Sequence, residues 1–284
     1  MTFDDYYKIL KAELGALYDA GEAAAISGLV LEHFTGKRVR PFSSETITEL
    51  EAAKLLRFEQ ELLNGKPVQY VLGEAWFLDR KFYVNKSVLI PRPETEELVL
   101  LAIKTITQKG LHTKQLKILD IGTGSGCIAI SLAIELKQSM VTGIDISSDA
   151  LDVASLNSQI LSALVNWHQV DFLNPECWEA FADYPIIVSN PPYIPLSEKF
   201  ILDKNVTDWE PSIALFTPTV DPFVFYKAIA AFCKKYPLEE RMVVLEGHQN
   251  YMSDLQNLFS DIFRKVEIRK DINGNERMLQ AHNS

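Results

Sequence analysis

Lys117-Ile118-Leu119-Asp120-Ile121-Gly122-Thr123-Gly124-Ser125-Gly126 decides the fold of this 284-residue chain. Its first five residues form a short, mostly apolar run bounded by glycines, the pattern of a buried strand. Glycines then stand at alternate positions, where a backbone can take positive φ and let a ligand approach closely. Gly126 to Leu136 follows with helical periodicity. A strand, a glycine turn and a helix in that order open an α/β sheet, whose ligands bind outside the carboxyl ends of the strands. The spacing is G-x-G-x-G. A dinucleotide fingerprint would require glycine at 127, where Cys127 stands, and no G-K-[ST] follows to grip phosphate. A cofactor without phosphates fits the loop better.

Downstream the alternation continues. Val141–Asp145 reads as a strand and Ser148–Leu161 as a helix. Trp167–Val170 is a strand ending at Asp171, and Ile186–Ser189 is the next. Helices at Phe223–Cys233 and Met252–Ile262 flank a strand at Met242–Glu246, and Val266–Lys270 and Met278–Ala281 close the chain as strands. The pattern predicts a doubly wound, mostly parallel seven-stranded sheet. The last two strands have no helix between them, so one partner at the edge is antiparallel.

Upstream the period changes. Residues 2 to about 63 read as helices, with Tyr6, Tyr7, Ile9, Leu10, Leu14 and Leu17 and then Ile26, Leu29, Val30 and Phe34 at helical spacing. A third helix is expected from Ser44 through Ile47, Leu50, Ala53 and Leu56 to Leu63. Asn64-Gly65-Lys66-Pro67 breaks it. Val68–Gly73 and Trp76–Val84 read as short strands of a hairpin. The expected domains are therefore a small all-helical N-terminal domain at 1–66, a β-hairpin linker at 67–88 and the α/β domain at 89–284. Pro93, Glu94, Glu96 and Glu97 open a helix with proline and acids where its dipole favours them.

The formal net charge is -10, and no basic stripe of the kind that tracks nucleic acid is visible. Cys127, Cys177 and Cys233 are scattered, odd in number and form no C-x-x-C pair, which fits a reducing compartment and suggests neither disulfides nor zinc. The five histidines lack metal-ligand spacing, so no metal is expected. No signal peptide and no membrane-length apolar run is read, so the expected location is cytoplasmic.

A second stretch carries chemistry: Ile186-Ile187-Val188-Ser189-Asn190-Pro191-Pro192-Tyr193. Neither proline can join a ladder, so the strand stops at Asn190. Pro192 keeps Pro191 out of the helical region. The Asn190 amide and the adjoining carbonyl then offer two neutral acceptors, with Tyr193 as an aromatic wall, a device suited to gripping a planar –NH2 group. Asp145 ends the second strand and can accept ribose hydroxyls. Asp171 and Phe172 end the third and can face an adenine.

In combination these motifs resemble the S-adenosylmethionine-dependent amino-methyltransferases. Within them the chain resembles the release factor protein-glutamine methyltransferase (PrmC/HemK) family over nearly its whole length. Gln69–Glu74, Leu89-Ile90-Pro91-Arg92-Pro93-Glu94-Thr95-Glu96, Ile118–Gly126, Val188–Ile194 and Gly274-Asn275-Glu276-Arg277 carry the resemblance. It implies a Rossmann-like methyltransferase fold, S-adenosyl-L-methionine as cofactor, and transfer of its methyl to the glutamine amide of a Gly-Gly-Gln motif in peptide-chain release factors. It implies that Gly122, Thr123, Gly124, Ser125 and Gly126 pass beneath the methionine part of the cofactor and that Asp145 holds the ribose. Asp171, Phe172 and Asn190 complete the cofactor side. Phe172 stands where the family often has tryptophan, so stacking is kept and an indole N–H contact is lost. Asn190, Pro191 and Tyr193 are implied as catalytic, gripping the target amide beside Pro192. Arg92 and Glu94 are further substrate-binding candidates, although spacing alone leaves their role open. His248, in Glu246-Gly247-His248, matches the family without an evident role.

An adenine or guanine amino-methyltransferase would use the same Asn-Pro-Pro-Tyr grip, but a flipped base needs a basic path, and the acidic balance opposes it. A non-catalytic module that keeps the fold is opposed by intact Gly122, Asp145 and Asn190. The expected partner is a release factor, gripped by the helical N-terminus and the Pro195–Pro218 loop, with no stable nucleic acid, no membrane and a monomeric chain.

Overall fold

The computed structural model describes residues 1–37, 46–111, 115–201 and 203–283. The chain divides into two compact units, Met1–Glu74 with Asp203–Trp209, and Ala75–Leu202 with Glu210–Ser284.

In the first unit α1 (Phe3–Leu14) starts at a capping box between Thr2 and Asp5, and Asp19 caps α2 (Ala20–Thr35) through the Gly21 and Glu22 amides. Gly36, at φ 67°, ends α2 in the left-handed conformation that a helix C-terminus favours. Thr48 and Glu51 form the capping box of α3 (Glu49–Leu63). Ser44, expected at the start of that helix, lies outside the described residues. Leu10, Leu14, Val30, Leu31, Leu55 and Leu62 form the buried core of the unit.

Val68–Gly73 departs from the expectation. It is a short helix, α4 (Val68–Leu72), closed by Gly73 at φ 71°. Val68, Val71 and Leu72 fall on one helical face and pack into the core of the first unit, so burial overrides the strand preference of the two valines. The hairpin is correspondingly shorter: β1 (Glu74–Phe77) pairs with β2 (Arg80–Tyr83). Leu78 and Asp79 both take positive φ, at 47° and 59°, as a two-residue hairpin turn demands.

The second unit continues with α5 (Pro93–Gln108), β3 (Lys117–Ile121), α6 (Cys127–Glu135), β4 (Met140–Asp145), α7 (Ser148–Ile160), β5 (Val165–Gln169) and β6 (Ile186–Ser189). The short α8 (Lys204–Thr207) belongs to the segment assigned to the first unit. Then come α9 (Ser212–Leu215), α10 (Val224–Lys235), β7 (Met242–Glu246), α11 (Met252–Ser260), β8 (Lys265–Lys270) and β9 (Glu276–His282). The sheet is seven-stranded in the order β5-β4-β3-β6-β7-β9-β8. Pairings are parallel from β5 to β7, and β9 runs antiparallel to both β7 and β8.

Alternation along the strands builds two apolar layers. Ile118, Ile186, Val188 and Val244 share one cluster with Leu98, Val99 and Ala102 of α5 and Ile130 of α6. Leu119, Ile187, Val243 and Leu245 share the other with Tyr226 and Phe232 of α10 and Leu255 and Phe259 of α11. The strand order reverses beside β3, with β4 on one side and β6 on the other, and this is where an open α/β sheet leaves a crevice. No described helix is long and apolar enough to cross a membrane.

Candidate active site

The glycine loop leaves β3 and is pinned to β4, where the amides of Gly122 and Thr123 donate to the Ile144 carbonyl at 2.9 and 3.0 Å. Gly122 and Gly124 have φ of 74° and 54°, and a Cβ on either would meet nothing within 4 Å. These two glycines serve the turn and leave the space above it open. Gly126 does something else. A Cβ there would come within 3.0 Å of Ile130 Cδ1 and of Trp167 Cη2, so it lets α6 pack closely and does not line the cavity.

Asp120 supports the loop from beneath. Its Oδ2 accepts from the Thr123 hydroxyl at 2.6 Å and from the Ala129 amide at 3.2 Å, while Oδ1 is buried without a partner among the described residues. Burial raises its carboxyl to about 7. Asp145, at the end of β4, accepts from the Gly124 amide at 2.9 Å through Oδ2 and from the Ser147 amide at 3.0 Å through Oδ1. Burial pushes its carboxyl above the usual range. Asn157 joins the hairpin to the same loop by donating to the Tyr83 and Ser125 carbonyls and accepting from the Tyr83 amide.

Two cavities share this ground. One, of about 120 Å³, is lined by Gly122 to Ser125, Asp145, Asn190 and Pro192 together with Arg92 and Thr95. The other, of about 380 Å³, is largely apolar and includes Asp145, Val170, Asp171, Phe172 and Phe216. Gly122, Asp145, Ile146, Ile213 and Phe225 belong to both. Phe172 is held by Trp178, whose indole N–H donates to the Phe172 carbonyl at 2.9 Å. Among the described residues that line them Arg92 is the one cation, and Glu210 pairs with it. The lining therefore suits a neutral or cationic ligand with an apolar flat end, and ill suits a phosphate.

Asn190 stands at the end of β6 with its amide fixed. Nδ2 donates to the Thr95 hydroxyl at 3.0 Å, and that hydroxyl donates to Glu246 Oε2 at 2.7 Å. Glu246 ends β7, is 2% exposed, and is raised by burial to about 7. Among the described residues the Oδ1 of Asn190 has no hydrogen-bond partner. Ser189 anchors the strand end by donating to the Ile121 carbonyl at 2.6 Å.

The remaining candidates are placed as follows. Pro191 is buried, Tyr193 and Glu94 are part-buried, and none of the three lines either cavity. Tyr193 packs at 6.2 Å from the His248 ring. His248 in turn caps the turn at Gln249–Tyr251 by accepting from the Asn250 amide through Nδ1. Glu210, which sequence reading missed, is 4% exposed and accepts from the Ile90 amide at 3.1 Å as well as from Arg92. Glu96 and Glu97 also act beyond the helix dipole, accepting from the Leu78 and Ile272 amides. Thr95 and Glu246 were likewise missed, since no spacing links positions so far apart. Among the described residues no cluster of His, Cys, Asp or Glu could hold a metal. Basic side chains do gather, at Lys104, Lys109, Lys265, Arg269 and Lys270, in a cavity of about 720 Å³ between α5 and the β8–β9 edge. That cavity shares no lining residue with the two beside the glycine loop.

Residues 100–202 match the family described as methyltransferase small domain. The chain is 37% identical to a release factor glutamine methyltransferase of Flavobacterium psychrophilum, with 99% of both chains covered. It is 36% identical to the protein of that name from Bacteroides thetaiotaomicron, covering 96% of this chain and 97% of that one. To the protein of that name from Bacillus subtilis it is 38% identical, with 97% and 96% covered. Among solved structures the hMettl16 catalytic domain, in complex with an RNA hairpin, aligns with a TM-score of 0.54 at 19% identity over 85% of this chain and 84% of that one, a likeness of fold alone.

Proposed function

This chain belongs to the release factor glutamine methyltransferase family, and we propose on that footing that it methylates the side-chain amide nitrogen of the Gly-Gly-Gln glutamine in peptide-chain release factors. The cofactor is S-adenosyl-L-methionine, which when bound supplies a methyl group activated on a sulfonium. Gly122 to Ser125 and Asp145 would hold its methionine and ribose parts, and the apolar slot at Phe172 its adenine. The absence of unpaired cations from the lining supports a cationic ligand.

A primary amide nitrogen is a weak nucleophile because its lone pair is delocalised, and no side chain is basic enough to deprotonate it first. The chain's own contribution is positioning and electrostatics. Orientation of this sort is worth up to roughly 7–11 kcal/mol in the best cases. Asn190 Oδ1, with the Pro191 carbonyl, accepts the two amide hydrogens and faces partial negative charge toward a nitrogen that turns positive as it reacts. Arg92, tied to Glu210, lines the same cavity and would meet the substrate main chain.

One observation carries this reading: Asn190 shares a cavity with the glycine loop and has its N–H end already committed to Thr95. The test is transfer of a labelled methyl to a release factor carrying Gly-Gly-Gln, compared with a Gly-Gly-Ala version, ribosomal RNA and DNA. Label on the first alone is expected. Label on a nucleic acid instead would establish the rival amino-methyltransferase.

The helical first unit serves recognition of the protein substrate in this reading. In α3, Leu55 and Leu62 are buried, while Leu56 and Leu63 repeat at the same spacing on the exposed side, 53% and 38% accessible. Leu56→Glu with Leu63→Glu should raise KM for the whole release factor and leave a short Gly-Gly-Gln peptide unaffected. The chain acts in the cytoplasm as a monomer, without stable nucleic-acid binding.

A further inference from the structure

A primary amide is nearly symmetric in shape, yet the proposed reaction needs oxygen, not nitrogen, at one end of Asn190. Something must specify which end faces the substrate. The Thr95 hydroxyl carries a single proton. An ionised Glu246 can only accept, so Thr95 must donate to it over 2.7 Å, and Thr95 can then only accept from Asn190 Nδ2 over 3.0 Å. The direction of the whole chain follows from one buried negative charge. We propose that Glu246 and Thr95 are positioning residues that fix the polarity of the Asn190 amide, so that its Oδ1 is presented to the substrate. This rests on the methyltransferase reading of the site.

The same logic predicts what protonation does. A neutral Glu246 can donate to Thr95, which frees the threonine proton for Asn190 Oδ1. The amide can then turn and present its –NH2 to the substrate –NH2, two donors face to face. Burial brings the Glu246 carboxyl to about 7, within the working range. Among the described residues none makes a direct ion pair with it. Arg277 on β9 and Arg92 before α5 favour the charge, Glu94 opposes it, and Tyr193 and Cys127, raised mainly by burial, are raised further by it. Tyr226 on α10 donates to the Glu246 backbone carbonyl at 2.9 Å, and its phenol, raised mainly by burial, also feels the Glu246 charge.

The test reads Asn190 directly. In the full-length protein with asparagine side chains labelled with ¹⁵N, the Asn190 –NH2 signal is assigned by its loss in Asn190→Ala and followed from about pH 5 to about pH 9. One titration with a midpoint near that of Glu246 is expected in wild type, and none in Glu246→Gln or Thr95→Val. Turnover should follow the same midpoint, rising as pH rises, and Glu246→Gln should lose this acid limb together with about 10-fold in kcat while cofactor affinity holds. Thr95→Ser, which keeps the hydroxyl, should retain both the titration and kcat within about threefold. A flat Asn190 signal in wild type, an acid limb unchanged in Glu246→Gln, or a Thr95→Ser enzyme that behaves like Thr95→Val would each overturn the proposal. An Asn190 signal that titrates as expected in a protein that methylates no release factor would uphold the relay and sink the substrate reading instead.

Discussion

Asn190 shows how little of a site can be carried by one side chain alone. Asn190→Ala removes the acceptor and should lower kcat, read as labelled methyl transferred, by roughly 10²–10³-fold, the usual cost of deleting one aimed polar group. Asn190→Asp should fail as badly for a different reason. The Thr95 hydroxyl already gives its proton to Glu246, so a second carboxylate would face an oxygen with nothing to donate. Gly122, Gly124, Asp145 and Asn190 were legible in the sequence because each stands at a strand end, where a local pattern marks it. Thr95, Glu210, Glu246 and Asn157 were not. Their partners lie 95 to 151, 118 to 120, 151 and 32 to 74 residues away, and no local spacing encodes a contact of that range.

Elements impose their own demands. Gly143 lies in the middle of β4, where neither turn nor ligand asks for glycine. A Cβ there would sit 2.3 Å from Trp167 Cζ3 and 2.8 Å from the Thr123 hydroxyl. β4 pairs Gly143 with Trp167 on β5, which lays the indole across it, and the Thr123 hydroxyl is held by its bond to Asp120. Gly143→Ala should therefore destabilise by about 1–3 kcal/mol, as overpacking does. It should also weaken cofactor binding, because Thr123 belongs to the loop. Thermal melting and calorimetry check the two effects, and Trp167→Leu should restore part of the first, since the indole supplies the closest clash. The central strands β3, β6 and β7 could be read because burial on both faces leaves continuous apolar runs. Val68–Leu72 could not, since five residues give too short a window to separate a helical face from a strand, and only the core it packs into settles the matter.

At the scale of the molecule, the two units should answer pH in opposite directions. In the first, Asp5, Asp19 and Glu51 cap helices, and hydrogen bonds from Thr2, Glu22 and Thr48 hold their carboxyls below the usual range. A lowered carboxyl adds stability above its unfolded value and loses it as pH falls through the folded one. In the second, burial raises Asp120 and Glu246 to about 7, from 3.8 and 4.5. There the folded unit binds more protons than the unfolded chain between those values, so its stability falls as pH rises through that window. Asp221, Glu267 and Asp271, held low by hydrogen bonds from Lys227, Lys265 and Asn275 in the same unit, oppose the trend, and the first two lie near the surface where such pairs count for little. Calorimetry from about pH 4 to about pH 8 should move the melting of the first unit up or leave it level, and bring that of the second down. Asp120→Asn should flatten the second slope, and an unchanged slope would mean that Asp120 does not titrate there. If Glu246 sets the Asn190 amide as inferred, the charge that costs the second unit stability near neutrality is the one its chemistry requires, so maximal stability and maximal turnover should fall at different pH.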